Sequence, residues 1–485
     1  MTRASANSTV AVDERFAAVL AALDRAHDLA ARYIASLPER PVARSLTADD
    51  MASFFDEPLP EAGSDPAEAV AEWYARAEPG IVASSGPRFF GWVMGGTTPA
   101  ALAGDWLAAA IDQDAGMWTA APAAAQTELT VLRWVKDLFG LPAAWAGAVT
   151  SGATMSNLVG LAAGRQWVGH RLGFDAAKDG LGGRPPIPVV SSAAIHASAR
   201  KSLGTLGIGR GSVRTVAAPG GAVDLDALAA ELATIDGPVI VVANAGEVNS
   251  GAFDDLHGVA DLCAAHSGGA WLHIDGAFGL FAAVSPAYQH LTAGVERADS
   301  VCVDAHKWLN VPYDAGFAFV RDAGALGAAF AATAAYLTPP PGAGWNPDSH
   351  LPEMSRRFRG LAAWCALKAY GRAGYRELVE RCCANAAAFA TWIVETPGVE
   401  LMAPAPLNIV CWRYAPAGLD EAARDEINHA AAPALQADGR TFVTPTTWEG
   451  RAALRCAFDN WSTTAADVAI LQQAVAEVGQ GLVAQ

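Results

Sequence analysis

Between Phe16 and Ile34 apolar residues recur at helical spacing (Phe16, Val19, Leu20, Leu23, Leu29, Tyr33) among Asp24, Arg25, His27 and Asp28. The pattern predicts an amphipathic helix whose apolar face needs a partner. A proline-containing connection from Ser36 to Pro66 leads to a second helical pattern, EAVAEWYARA, so residues 1–80 read as a helical arm without a core of its own. From residue 81 to 370 the pattern changes to short apolar runs, PVIVVANA, AWLHIDGA, DSVCVDA and GFAFVRD, separated by helical or glycine-rich segments. Buried strands alternating with helices predict an α/β domain built on a mainly parallel, covered sheet. Ligands of such sheets gather at the carboxyl ends of the strands, so the residues just after these runs are where chemistry is expected. Residues 371–485 carry the helical YRELVERCCANAAAFATWIVE and two strand-like pieces, LNIVCWRYA and ALRCAFDN, which predict a small α+β domain.

Composition narrows the class. Apolar residues make up 52% and charged residues 17% of the 485, a balance that suits a large buried interior and excludes extended disorder. Lys and Arg number 33 against 50 Asp and Glu, a net charge of −17 that repels nucleic acid and anionic lipid. The seven cysteines are scattered, with Cys382 and Cys383 their only close pair; this gives no disulfide framework and no metal-ligating spacing, and points to a reducing compartment. The start, MTRASANSTVAVDERF, lacks the basic and apolar regions of a signal peptide, and the long uncharged stretches elsewhere are broken by Gly, Pro, Ser and Thr, so a cytoplasmic protein without membrane partners is expected.

Two segments each end an apolar run on an ionisable residue: WLHIDGAFG (271–279) with Asp275, and VDAHKWLN (303–310) with Lys307. A lysine near a desolvated sheet edge can lose its proton and join a carbonyl, while a carboxylate there can keep a heteroaromatic nitrogen protonated. Together they describe a pyridoxal 5'-phosphate site. Taken singly, the alternative reading is that Lys307 caps a turn and Asp275 belongs to a structural ion pair.

A third segment, GAVTSGATMSNLVGLAAGR (147–165), runs a strand into a Gly, Ser and Thr-rich turn and then a helix. Ser151, Gly152, Ala153 and Thr154 there offer backbone N–H groups, hydroxyls and the positive end of a helix dipole to a phosphate, or simply cap the helix. In SSAAIHASARKSLG (191–204), His196 follows a strand-like run and precedes a helix, where its ring would stack on a pyridine or cap the helix. Ser198 and Lys201 in that stretch have S-x-x-K spacing, but the S-D-N and K-T-G companions of an acyl-serine enzyme are missing.

With the H-x-D-x-A of residues 273–277, the His306–Lys307 pair, the strand-capped phosphate turn and His196, the chain resembles the group II pyridoxal-phosphate-dependent amino acid decarboxylases, among them aromatic-L-amino-acid and glutamate decarboxylase. GPRFFGWV and PAAAQTEL toward the front and SRRFRGLAAWCALKAYG (355–371) extend the resemblance over most of the chain. It implies the aspartate-aminotransferase type of fold (fold type I) and an intertwined homodimer with a shared active site, on which the arm would pack. It further implies that Lys307 carries the cofactor, Asp275 pairs with the pyridinium nitrogen, and Ala277 packs under the ring opposite His196. His306 and Thr154 would contact the phosphate. Tyr336, in AATAAYLTPP, would protonate the substrate carbon. Phe90, Trp92 and Trp118 correspond to positions lining the family's substrate cavity, or are core aromatics. Arg455 would steer the substrate carboxylate or serve the fold.

One departure stands out. Where aromatic decarboxylases carry Gly-Thr-Thr, this chain reads AGEVNSGAFD, with Glu247 and Val248 replacing threonines; Glu247 is expected either to face the cofactor or to be a solvated charge. The implied reaction is decarboxylation of an aromatic L-amino acid to its amine and carbon dioxide. Acidic or diamino acid substrates and an oxidative route to an aldehyde are the alternatives within the cofactor class. Outside it stand a serine hydrolase through Ser198 and a non-catalytic scaffold.

Overall fold

The apolar runs form strands because their β-branched and aromatic residues are buried on both faces of a sheet. A computed structural model of the chain describes residues 14–332 and 344–484. Its larger sheet contains β1 (Ala146–Thr150), β2 (Val189–Ser192), β3 (Val213–Val216), β4 (Val239–Asn244), β5 (Ala270–Asp275), β6 (Ser300–Asp304) and β7 (Gly316–Val320). The seven strands lie in the order β1-β7-β6-β5-β4-β2-β3. Those from β6 to β3 run parallel, while β7 is antiparallel to both neighbours. The carboxyl ends of β5 and β6 are therefore adjacent, with Asp275 paired in register to Cys302.

The helix Ala153–Arg171 covers one face of this sheet and comes unusually close to β5 and β6. Glycine permits the approach: a Cβ at Gly160 would lie 2.8 Å from the His273 ring, and one at Gly164 would lie 2.8 Å from Trp271. On the other face, the helix Pro122–Phe139 and the long helix Gly360–Glu395 contribute Val131, Val135, Ala366 and Leu378 to a core with Val241, Ile274 and Val303. A fully buried ion pair, Arg356 to Glu128 at 3.0 Å, ties these layers together. Arg356 also donates to the carbonyl of Val149, one residue from the end of β1.

A second sheet, β8 (Val399–Leu401), β9 (Ile409–Tyr414), β10 (Thr444–Trp448) and β11 (Arg451–Ala457), is antiparallel in the order β10-β11-β9-β8. The sequence pattern predicts only β9 and β11 of these four. In β10 the run TPTTW holds a proline and alternates in exposure, and β8 is three half-buried residues, so neither presents an apolar run. The half-exposed β3 escapes for the same reason.

The predicted amphipathic helix is Glu14–Ser36, and the second helical pattern is Pro66–Ala77, against which it packs. Phe16, Val19, Leu20 and Leu23 stay exposed within the single chain. A groove of about 840 Å³ separates this helix from the body, between His27, Tyr33 and Ile34 on one side and Leu102, Trp106 and Trp461 on the other. No described helix is long and apolar enough to cross a membrane.

Candidate active site

Asp275 ends β5 and is 5% exposed, yet three donors converge on its carboxylate. Asn157 Nδ2 donates to Oδ2 at 3.0 Å; the Ala277 amide and the Cys302 thiol donate to Oδ1 at 3.1 and 3.2 Å. Asn157 is itself oriented from behind: its Oδ1 lies 2.7 Å from His273 Nε2, His273 Nδ1 lies 2.8 Å from Ser300 Oγ, and that hydroxyl accepts from Trp271 Nε1 at 2.9 Å. The network is consistent with a neutral His273 that carries its proton on Nε2, accepts at Nδ1 and leaves Asn157 Nδ2 free to donate. Burial lowers the pKa of His273 to about 4, in keeping with that neutral state. Burial alone would raise Asp275; the neighbouring His196, the Asn157 hydrogen bond and the charge on Lys307 outweigh it and hold the carboxyl below its ordinary range. A buried carboxylate kept ionised in this way is suited to pairing with a cationic ring nitrogen.

Lys307 lies in the turn after β6, where its Nζ is 3.1 Å from Asp304 Oδ2. Asp304 Oδ1 lies 3.1 Å from His306 Nε2 and also accepts the Ala153 amide at the start of the Ala153–Arg171 helix. The turn and the lysine thus belong to one cluster. Tyr313 stacks on the His306 ring with centroids 4.3 Å apart. Gly152 has φ +139°, and a Cβ there would lie 2.7 Å from His306 Cε1, so only glycine leaves this cradle open. Burial lowers the pKa of His306, Asp304 opposing it.

The family model described as "Pyridoxal-dependent decarboxylase conserved domain" matches residues 49–415. The chain belongs to this family. Among the relatives of this decarboxylase is an aromatic-L-amino-acid decarboxylase of Bacillus atrophaeus, 30% identical over 83% of each chain. Another is an L-2,4-diaminobutyrate decarboxylase of Rhizobium meliloti (strain 1021), 32% identical over 88% of this chain and 84% of that protein. The solved structure of Oryza sativa TDC with PLP and tryptamine superposes with a TM-score of 0.89 at 25% identity, covering 98% of this chain and 99% of that one. The cofactor is pyridoxal 5'-phosphate, the activity is that of a carboxy-lyase, and the fold is the type I fold of these enzymes.

The residues present fit the cofactor. Lys307 and the ionised Asp275 come from neighbouring strand ends, and the small, amide-rich turn 151–154 meets His306 at the cradle that Gly152 keeps clear. The Ala153 amide of this turn is taken by Asp304 Oδ1. Thr154 is exposed in the first turn of the helix, and Ser151 is half-buried. His196 caps the helix Ala197–Thr205, with Nδ1 accepting the Ser198 amide at 3.2 Å, and its ring remains exposed. Ser198 Oγ is held by His196 Nδ1 at 2.7 Å and Asn157 Nδ2 at 3.2 Å, whereas Lys201 is exposed, so the S-x-x-K spacing forms no dyad.

The aromatic candidates separate. Phe90 is the core aromatic of the two expectations: at 1% exposure it packs with Phe458 in the core under the smaller sheet. Trp92 is half-exposed with φ +50° and stacks on Phe89 and Phe442. Trp118 is half-buried, its amide donating to Asn346 Oδ1 at 2.9 Å. Arg455 is buried, with Nη1 on the Val248 carbonyl at 2.7 Å and Nε without a partner. Glu247 is not a solvated charge: its buried carboxylate accepts from the amides of Asn249 and Ser250 and from both their side chains, closing its own turn. Tyr336 lies outside the described residues.

Sequence reasoning passed over Asn157, Asp304, Cys302 and Ser300, and gave His273 no role. Asn157 carried one signal, a polar residue on an otherwise small and apolar helix face; the others needed the strand register to bring them to Asp275 and Lys307.

Proposed function

We propose that this decarboxylase converts an aromatic L-amino acid into its amine and carbon dioxide, and works as a cytoplasmic homodimer whose arm, residues 1–80, packs on the partner subunit. The observation that carries the chemistry is the ionised, buried Asp275 with its three donors, one strand away from Lys307. When bound, the cofactor accepts into its ring the electron pair left by the departing carboxylate. Lys307 would hold it through Nζ. Asp275 keeps the proton on the ring nitrogen, and Asn157 keeps Asp275 aimed. His196 and Ala277 would hold the ring between them. His306, Thr154 and the turn 151–154 hold the phosphate. Tyr336 delivers the proton to the substrate carbon that has lost carbon dioxide.

The aromatic substrate is supported by the relatives and by Trp92, whose half-exposed ring tops a stack with Phe89 and Phe442. Homodimer formation is supported by the exposed Phe16, Val19, Leu20 and Leu23 of the arm. The cytoplasmic placement rests on cysteines that are all free. The test is product analysis with a panel of L-amino acids, following amine, aldehyde and carbon dioxide. Equimolar amine and carbon dioxide from tryptophan, tyrosine or phenylalanine are expected, and Tyr336→Phe is expected to divert product toward aldehyde. Turnover confined to diamino acids would favour the second reading, raised by the 32% identity to the diaminobutyrate enzyme.

A further inference from the structure

Asp459 directly follows the Phe458 that leaves β11, is 1% exposed, and has a buried Oδ2 without a hydrogen-bond partner. A carboxylate in that state is unfavourable unless an opposite charge faces it. The segment is stitched onto the turn that bears Lys307. Trp308 Nε1 donates to the Phe458 carbonyl at 3.2 Å, Asn310 Nδ2 donates to the Asp459 carbonyl at 2.9 Å, and the Trp461 amide donates to Asn310 Oδ1 at 2.9 Å. The titratable groups that face Asp459 are Lys307 and Tyr313 from this turn and Cys382 from the helix Gly360–Glu395. Lys307 is the one cation of the set, and it is already paired with Asp304 at 3.1 Å.

We propose that Asp459 is a positioning residue that sets the proton affinity of Lys307: ionised, it holds Nζ as an ammonium, and it takes up a proton itself when Lys307 gives up its charge. The inference rests on the reading that Lys307 carries the cofactor. A displaced lysine held as an ammonium has no lone pair with which to retake the position the substrate amine has just occupied. Burial raises Asp459 to about 7, with Lys307 opposing the rise, which puts its titration where such an exchange operates near neutrality.

The test uses the full-length chain without added cofactor. Dinitrofluorobenzene labelling of Lys307, read by peptide mass spectrometry across pH, reports the fraction of free amine. Asp459→Asn is expected to move the midpoint down by at least about one pH unit, a roughly tenfold gain in labelling below the wild-type midpoint. An unmoved midpoint in a folded chain overturns the proposal. A second measurement needs no substitution at 459: carboxyl-carbon NMR of the aspartate-labelled chain should show, besides Asp254, which burial raises to about 6, an aspartate titrating between about pH 6 and 8 that Lys307→Ala moves upward. No such titration, or one indifferent to Lys307→Ala, likewise overturns it. Borohydride mapping of the loaded enzyme locates the cofactor separately, so cofactor found on Lys307 together with an unshifted labelling profile refutes this inference alone.

Discussion

Asp275 remains a carboxylate in a buried site because Asn157, Ala277 and Cys302 all donate to it, and Asn157 is aimed by the Nε2–H of a His273 ring that burial keeps neutral. That dependence has a measurable cost in acid. The pKa of His273 is about 4 in the fold against 6.5 ordinarily, so as pH falls from about 6.5 to 4 the unfolded chain binds a proton that the native chain refuses. Stability is therefore lost on the way down, by about 3 kcal/mol from this group, and none of the loss arises above about pH 7. His273→Gln, which presents an amide to Asn157 without a titrating ring, is expected to be less stable than the parent at pH 7.5 but to lose less on acidification, as read by urea denaturation at several pH values. Parallel losses in both chains would mean that His273 titrates normally. Much at this scale was legible beforehand, since Asp275, Lys307, His196 and His306 all stand at the ends of apolar runs. Glu247 was not legible, because a short turn that satisfies a carboxylate with its own amides looks in sequence like any other Glu-Val-Asn-Ser.

The helix Ala153–Arg171 is the element on which the site depends, and its glycines are the reason it reaches the sheet. Gly152 at its N-terminus bears φ +139° and abuts His306, while Gly160 and Gly164 admit His273 and Trp271. Gly152→Ala combines a disfavoured backbone conformation with a Cβ 2.7 Å from His306 Cε1. We expect the variant to fold and to bind pyridoxal phosphate at least about tenfold more weakly, as measured by equilibrium dialysis, because the phosphate turn and His306 are pushed apart. Undiminished affinity would separate the phosphate site from this turn. The glycine-rich pattern of 147–165 revealed the turn, and the apolar strands were equally plain. The short or proline-bearing β3, β8 and β10 were not, since strands held mainly by main-chain pairing at an edge need no apolar run.

At the scale of the whole molecule, the two sheets with their separate cores meet along the 307–310 turn, where Trp308 and Asn310 bond to the chain leaving β11. Among the described residues, the outer apolar face of the arm helix is left uncovered. Leu20 and Leu23 are 45% and 52% exposed on the helix Glu14–Ser36, and covering them is the role we assign to a second copy. Leu20→Lys with Leu23→Lys is expected to shift sedimentation from dimer to monomer and to reduce activity with it; a fully active monomer would show that the site is complete in one chain. The amphipathic period announced this helix, while its exposure could be seen only once the rest of the chain had folded without covering it.

All three scales converge on the amine at position 307. The most direct measurement is borohydride reduction of the yellow protein followed by peptide mapping. The account predicts that the reduced pyridoxyl phosphate is found on the peptide containing Lys307, and that Lys307→Ala is colourless and unlabelled. Label on another lysine, or a coloured and active Lys307→Ala protein, would contradict it.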